Sequence, residues 1–270
     1  MDFGEIEARG LALLGCGKMG SAMLEGWLKD GLPASSVWVL EPAPSEWLKG
    51  TGVWINEGLP SDPAVIVIAV KPQMMDEALP LVASKGGGST VVVSIAAGIK
   101  IAGFEEVFGA ATPVVRTMPN TPAAIGRGIT ALIANAHVDE AQLAMAEGLL
   151  GAVGKTVRLE SEAQMDAVTA VSGSGPAYVF HLIETLAAGG VAEGLSEELA
   201  MELAVATVAG AGGLAEVSEE GAAQLRANVT SPNGTTQAAL EVLMDEGRGF
   251  PVLLRDAVKA AADRSRELGA

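Results

Sequence analysis

Four short, mostly apolar runs constrain this chain most. They are Leu11-Ala12-Leu13-Leu14, Val37-Trp38-Val39-Leu40, Ala64-Val65-Ile66-Val67-Ile68-Ala69-Val70 and Thr90-Val91-Val92-Val93-Ser94-Ile95. A strand with one wet face alternates apolar and polar residues. A run without alternation is buried on both faces, as in a parallel sheet covered by helices on each side. Helical stretches separate the runs, so the expected layer is α/β, a doubly wound parallel sheet of the Rossmann type. Two further runs, 112–116 and 128–134, extend it. Aromatic residues make up only 4% of the chain against 49% hydrophobic, so the core is built from Ala, Val, Leu and Ile.

After about residue 160 the pattern changes to long Ala/Leu/Val stretches at helical spacing. Ser172-Gly173-Ser174-Gly175-Pro176 reads as a helix start, with Pro in the first turn and Ser able to cap. Ser196 followed by Glu197 and Glu198 starts another, the acids suiting the positive end of the helix dipole. Gly249-Phe250-Pro251 starts a last helix that runs toward Leu268. Residues 203–215 carry no charge. A helix apolar all round must be buried all round. The expectation is therefore a sheet domain over 1–160 and an all-helical dimerisation domain over 161–270 that buries itself against a second copy.

Lys and Arg number 17 against 33 Asp and Glu, a net charge of −16. That field repels nucleic-acid phosphates and anionic membrane surfaces, but says nothing against a small anion held by local N–H groups. One cysteine, Cys16, and two histidines, His137 and His181, leave no disulfide framework and no expected metal site. The uncharged run 167–183 is interrupted by Ser172-Gly173-Ser174-Gly175-Pro176, a poor spanning helix. The start of the sequence is acidic, without a cationic segment before an apolar run. No membrane partner and a cytoplasmic location are expected.

Gly15-Cys16-Gly17-Lys18-Met19-Gly20 directly follows the first run and precedes a helical pattern over 21–29. In a dinucleotide-binding loop the first glycine allows the tight turn and the second lets the pyrophosphate approach the backbone. The third lets helix and strand pack closely, and the helix start supplies N–H donors and a positive dipole. Glu41 ends the second run, about where a ribose-binding carboxylate belongs. Such a carboxylate favours NADH, and 42–47 contains no Arg to hold a 2′-phosphate. Alternatively Glu41 is an exposed strand-end acid, and with Lys49 able to reach round, NADPH also fits.

Five further segments sharpen the reading: Val70-Lys71-Pro72-Gln73, Ser94-Ile95-Ala96-Ala97-Gly98-Ile99, Arg116-Thr117-Met118-Pro119-Asn120-Thr121-Pro122, Ser172-Gly173-Ser174-Gly175-Pro176-Ala177-Tyr178 and Asn228-Val229-Thr230-Ser231-Pro232-Asn233-Gly234-Thr235-Thr236. In this order and spacing the chain resembles the pyrroline-5-carboxylate reductases over nearly its whole length. The resemblance implies a Rossmann domain followed by a helical dimerisation domain, a homodimer assembled into a larger ring, and hydride transfer from NADPH or NADH to 1-pyrroline-5-carboxylate, giving L-proline. A protonated cyclic imine already accepts hydride. The reaction needs positioned carbons, an anion site and a polar group near the ring nitrogen, but no metal and no protein nucleophile.

The resemblance further implies that Gly15, Gly17, Lys18, Met19 and Gly20 hold the pyrophosphate. Glu41, Asn56, Val70, Lys71, Pro72, Ala96 and Ala97 then follow the cofactor from adenosine to nicotinamide, with Asn228 touching it from the second half. Gly234, Thr235 and Thr236, with Ser174, lie where the substrate is gripped. Thr236 is the candidate for the ring nitrogen and Glu219 matches an acid near the substrate amine. Plainer readings stand beside these. Thr235 or Thr236 is an N-cap, Glu219 a solvated turn acid, Ser174 only a cap, Lys71 a strand-end surface lysine, and His181 an inward core histidine. Asn233 replaces the glycine usual in the family, yet Asn best tolerates positive φ among other residues. Ala222 stands where the family often has Pro. A β-hydroxyacid dehydrogenase shares this layout but uses a helix lysine as acid/base in its second domain, which 172–178 and the following helix lack. A nonenzymatic NAD(P)-binding relative is the other alternative.

Overall fold

The computed structural model describes residues 3–269. The strands are β1 (Leu11–Leu14), β2 (Val37–Leu40), β3 (Trp54–Ile55), β4 (Val65–Ile68), β5 (Val91–Ser94), β6 (Val114–Met118), β7 (Gly128–Ala134) and β8 (Gly154–Arg158). The helices are α1 (Gly4–Arg9), α2 (Lys18–Lys29), α3 (Glu46–Lys49), α4 (Met75–Ala78), α5 (Ile101–Phe108), α6 (Glu140–Gly151), α7 (Met165–Val168), α8 (Gly175–Ala192), α9 (Glu197–Val217), α10 (Ala222–Asn228), α11 (Thr235–Leu243) and α12 (Phe250–Leu268). The chain forms two compact units, 3–173 with 262–269, and 174–261. The boundary expected at 160/161 thus falls inside the first unit, and the last turns of α12 belong to it too.

The first unit is one sheet in the order β3-β2-β1-β4-β5-β6-β7-β8. Every neighbouring pair is parallel except β6 and β7. The expected doubly wound parallel sheet is present, with one antiparallel pair added at β6 and β7. Residues 119–127 join β6 to β7, too few for a crossover that keeps strands parallel, so a short 3-10 turn at Thr121–Ile125 reverses the chain instead. The unbroken apolar runs do what their composition demands. Leu11, Leu13, Val65, Val67, Val91 and Val93 enter one buried cluster, and Ala12, Leu14, Ile66, Ile68 and Val92 enter the cluster on the opposite face.

Helix α2 covers the first face through Met23, Leu24 and Trp27, all inaccessible to solvent. The Trp27 indole N–H donates to the carbonyl of Leu149 in α6 at 2.8 Å. Trp27 thereby joins apolar filling to a satisfied polar tip. Trp27→Ala is expected to cost about 3–5 kcal/mol, the range for emptying a large aromatic site. Urea unfolding checks it. A midpoint equal to the parent's would show that α2 and α6 close over the gap.

In the second unit α8 and α9 pack together through Ala187, Ala200 and Ala204 with Ile183 beside them. Ser196 caps α9 by accepting from the Leu199 N–H, as its sequence predicts. Ser174 does not cap α8. The π-helical turn Thr169–Gly173 runs straight into α8, so Ser174 is itself helical in φ and ψ and makes no side-chain cap bond. Much apolar surface remains open on the single chain, including Phe180, Leu186, Leu203 and Val205. His181 is corrected likewise. It is exposed, with Nδ1 3.2 Å from Glu184 Oε2, rather than inward. Helix α9 is, by length and composition, apolar enough to cross a membrane, although the sequence reading expected no such segment.

Candidate active site

At the carboxyl ends of β1, β2, β4 and β5 the first unit gathers four segments: the loop 15–20, the Glu41–Asn56 pair, residues 69–72 and the loop 95–100. This edge is where doubly wound sheets bind ligands. Gly15 has φ +89°, and a Cβ there would meet Val70 Cγ1 at 2.8 Å and the Ala69 backbone at 3.0 Å. At Gly20 a Cβ would meet the Gly15 carbonyl oxygen at 2.6 Å, so α2 lies too close to the loop for any side chain. At Gly17 a Cβ would meet nothing within 4 Å. Two glycines are therefore needed by the protein's own packing, and the middle one faces open space. Ala69, the wall against which both outer glycines press, is a site residue the sequence reading missed.

Helix α2 starts with no side-chain cap and no acid in its first turn. The N–H groups of Gly17, Lys18, Met19 and Gly20 donate to no protein acceptor among the described residues. Orphan donors at a helix start, with the dipole behind them, make an anion site. A dinucleotide pyrophosphate fits this cradle.

Glu41 lies beside the loop. Its Oε2 accepts from Cys16 N–H at 2.8 Å and its Oε1 from Ala43 N–H at 3.0 Å. Asn56, at φ 56°, clips the backbone of Glu41 with both ends of its amide: Nδ2 donates to Glu41 O at 2.8 Å, and Oδ1 accepts from Glu41 N at 3.0 Å. The carboxylate is thus held at the glycine loop instead of trailing into solvent. Lys49 is drawn away to Glu46, Nζ to Oε1 at 2.6 Å. Burial, and secondarily Glu41, pushes the Cys16 thiol up to about 11, so it stays a neutral packing group.

Val70 touches the glycine loop, while Lys71 and Pro72 are exposed beyond β4. Ala96 is buried and its N–H donates to Ser94 Oγ at 3.2 Å. Ala97 is exposed. Ser94 is in turn fixed by Thr117 Oγ1, which donates to the Ser94 carbonyl at 2.9 Å. Neither Ser94 nor Thr117 stood out in the sequence as a site residue.

In the second unit, Gly234 is the N-cap of α11, with Thr235 and Thr236 as its first two residues. Neither threonine makes a side-chain cap bond, so the capping reading of these hydroxyls is set aside. Asn233 takes φ 58° and its N–H donates to Gln237 Oε1 at 2.8 Å, so asparagine carries the turn in place of glycine. A Cβ on Gly234 would strike Ser231 Oγ at 2.5 Å. The Asn228 amide is bound to Gln224 and to Glu220, each at 2.7 Å. The acid that meets Asn228 is therefore Glu220. Glu219, next to it, is exposed. Ser174 is half-buried at the start of α8. No cluster of metal-ligating side chains occurs among the described residues.

The family model for the pyrroline-5-carboxylate reductase dimerisation region matches 162–268, and that for NADP oxidoreductase, coenzyme F420-dependent, matches 10–98. The pyrroline-5-carboxylate reductase of Pseudomonas aeruginosa is 42% identical over 264 residues, covering 96% of each chain. The chain belongs to the pyrroline-5-carboxylate reductase family. Among solved structures, the pyrroline-5-carboxylate reductase of Coxiella burnetii superposes with a TM-score of 0.91 at 32% identity, covering 97% of this chain and 99% of that one. The Plasmodium falciparum pyrroline carboxylate reductase, solved with NADP bound, gives 0.84 at 30% identity, covering 98% and 99%. The expected Rossmann-type sheet with a helical dimerisation region is thereby the family's own architecture.

Proposed function

We propose that this chain reduces 1-pyrroline-5-carboxylate to L-proline with NADPH or NADH, the last step of proline biosynthesis. The observation that carries the reading is the open cradle of four unpaired N–H groups at Gly17–Gly20, with Glu41 fixed beside it, in a chain of this family. Bound NAD(P)H supplies the hydride. The protein's own part is to hold, orient and protonate. Gly15, Gly17, Lys18, Met19 and Gly20 take the pyrophosphate. Glu41 and Asn56 take the adenosine ribose end, Val70, Lys71, Pro72, Ala96 and Ala97 the path onward, and Asn228 a further cofactor contact. Gly234, Thr235 and Ser174 hold the substrate. Thr236 hydrogen-bonds the ring nitrogen and relays its proton. Glu219 serves the substrate amine.

The functional division at about 160/161 is supported by the dimerisation match beginning at 162. A second copy covers the apolar faces of α8 and α9. That cover explains α9 better than a bilayer does, because the match runs through it. Dimers assembling into a larger ring, in the cytoplasm, complete the proposal.

A fixed carboxylate at Glu41 repels a 2′-phosphate and accepts from ribose hydroxyls. Purified protein should therefore oxidise NAD(P)H when given pyrroline-5-carboxylate, with the higher kcat/KM for NADH. Steady-state rates with both cofactors test this. No turnover with either refutes the enzyme, and a strong NADPH preference refutes the role of Glu41 alone.

A further inference from the structure

Helix α5 starts without a cap of its own. Lys100 stands at its N-cap and makes no side-chain bond there. The cap comes from far along the chain, where Glu162 Oε1 accepts from the Ile101 N–H at 2.8 Å. The same oxygen accepts from Arg116 Nη1 at 2.7 Å. Arg116 points from β6 into the sheet's second face, and its side chain is only 6% exposed. Its Nε is buried without any partner, so Glu162 is the one carboxylate the buried guanidinium has among the described residues. A charge so placed holds its partner firmly, because releasing it leaves an uncompensated buried ion.

This latch closes on the loop 95–100, which carries Ala96 and Ala97. A second restraint meets the same loop. Gly98, at φ +83°, lies against the end of α12, where a Cβ would come within 3.5 Å of the Leu268 carbonyl oxygen. That end is pinned by Ser265 Oγ, which donates to Asp166 Oδ1 at 2.6 Å. Asp166 begins just four residues after Glu162, and both belong to the first unit. Two segments remote in sequence thus fix the turn beyond β5 at its middle and at its exit.

We infer that Glu162, backed by Arg116, is a positioning residue for the nicotinamide half of the cofactor. It sets the loop 95–100 and leaves the adenosine half, held by 15–20 and Glu41, untouched. The inference rests on the cofactor path proposed above. Glu162→Asp tests it, since it keeps a carboxylate in the latch but, one methylene shorter, draws the shared oxygen back from both the Ile101 N–H and Arg116. Calorimetry on the full-length protein would compare NADH with ADP-ribose, which lacks nicotinamide. The expected result is NADH binding weakened about fivefold, the size of one lost helix-capping bond, with ADP-ribose unchanged. Equal weakening of both, or no change in either, overturns the inference while wild-type turnover leaves the proposed function standing. A wild type that binds neither overturns both. Should Glu162→Asp fail to fold, Ser265→Ala reads the second restraint with the same pair of ligands. It should weaken NADH alone, and equal effects on the two ligands again overturn the inference.

Discussion

Gly17→Ala should abolish dinucleotide binding and leave the fold standing, whereas Gly20→Ala should damage both. The difference follows from where each new methyl would go. At position 17 it meets no atom within 4 Å beyond its own chain neighbours, at the N-cap of the helix whose first N–H groups are unpaired. The proposed pyrophosphate site lies against this glycine, so the clash would be with ligand alone. At position 20 it meets the Gly15 carbonyl oxygen at 2.6 Å, and backbone cannot swing aside like a side chain. Helix α2 must then retreat from β1, taking Met23, Leu24 and Trp27 out of their packing. Overpacking of this kind costs about 2–3 kcal/mol. If the orphan N–H groups lose alignment by the same free energy, NADH affinity falls roughly 30- to 150-fold. Titration with NADH and thermal unfolding on both variants decide the matter. A Gly17→Ala protein that binds NADH like its parent would mean that the cradle faces no phosphate.

The sequence exposed this half of the site because its signals are local. β1, β4 and β5 are each legible as runs buried on both faces, and the glycine spacing lies within six consecutive residues. β8 escaped because Lys155, Thr156 and Arg158 break its apolar pattern at a sheet edge, where one side is wet. β3 escaped because two residues give no periodicity. Ser174 looked like a cap because a Ser before Gly-Pro ordinarily marks a helix start, but the π turn delivers the chain already helical. The Arg116–Glu162 latch has no sequence signature at all, since its members are separated by 46 residues.

His181 fails for a different reason. Its helix is apolar enough to predict burial, and the single chain does not supply the cover. Hydropathy reports the environment of the finished assembly, while exposure in one copy reports only what that copy can hide. The same mismatch makes α9 satisfy a membrane criterion in a family whose matching region is a dimerisation region.

The largest effect on chemistry should come from Thr236→Ala. Thr236 is the second residue of α11, half-buried, and its hydroxyl makes no hydrogen bond within the described residues. A hydroxyl with no structural partner can be removed without leaving a buried group unsatisfied. Alanine is also the better helix former, so the fold gives no reason for loss. If the hydroxyl steadies the ring nitrogen as the imine becomes an amine, its removal lowers kcat by about 100-fold or more, the usual scale of one positioned proton-transfer group. NADH affinity should change far less than kcat, because the proposed dinucleotide contacts, those in the first unit and Asn228, do not include Thr236. Thr236→Ser should restore most of the rate, since it returns the hydroxyl and omits only a methyl. A Thr236→Ala enzyme whose kcat and NADH affinity fell by the same factor would place Thr236 among the groups that shape the turn, and the proton would have to come from another donor or from water.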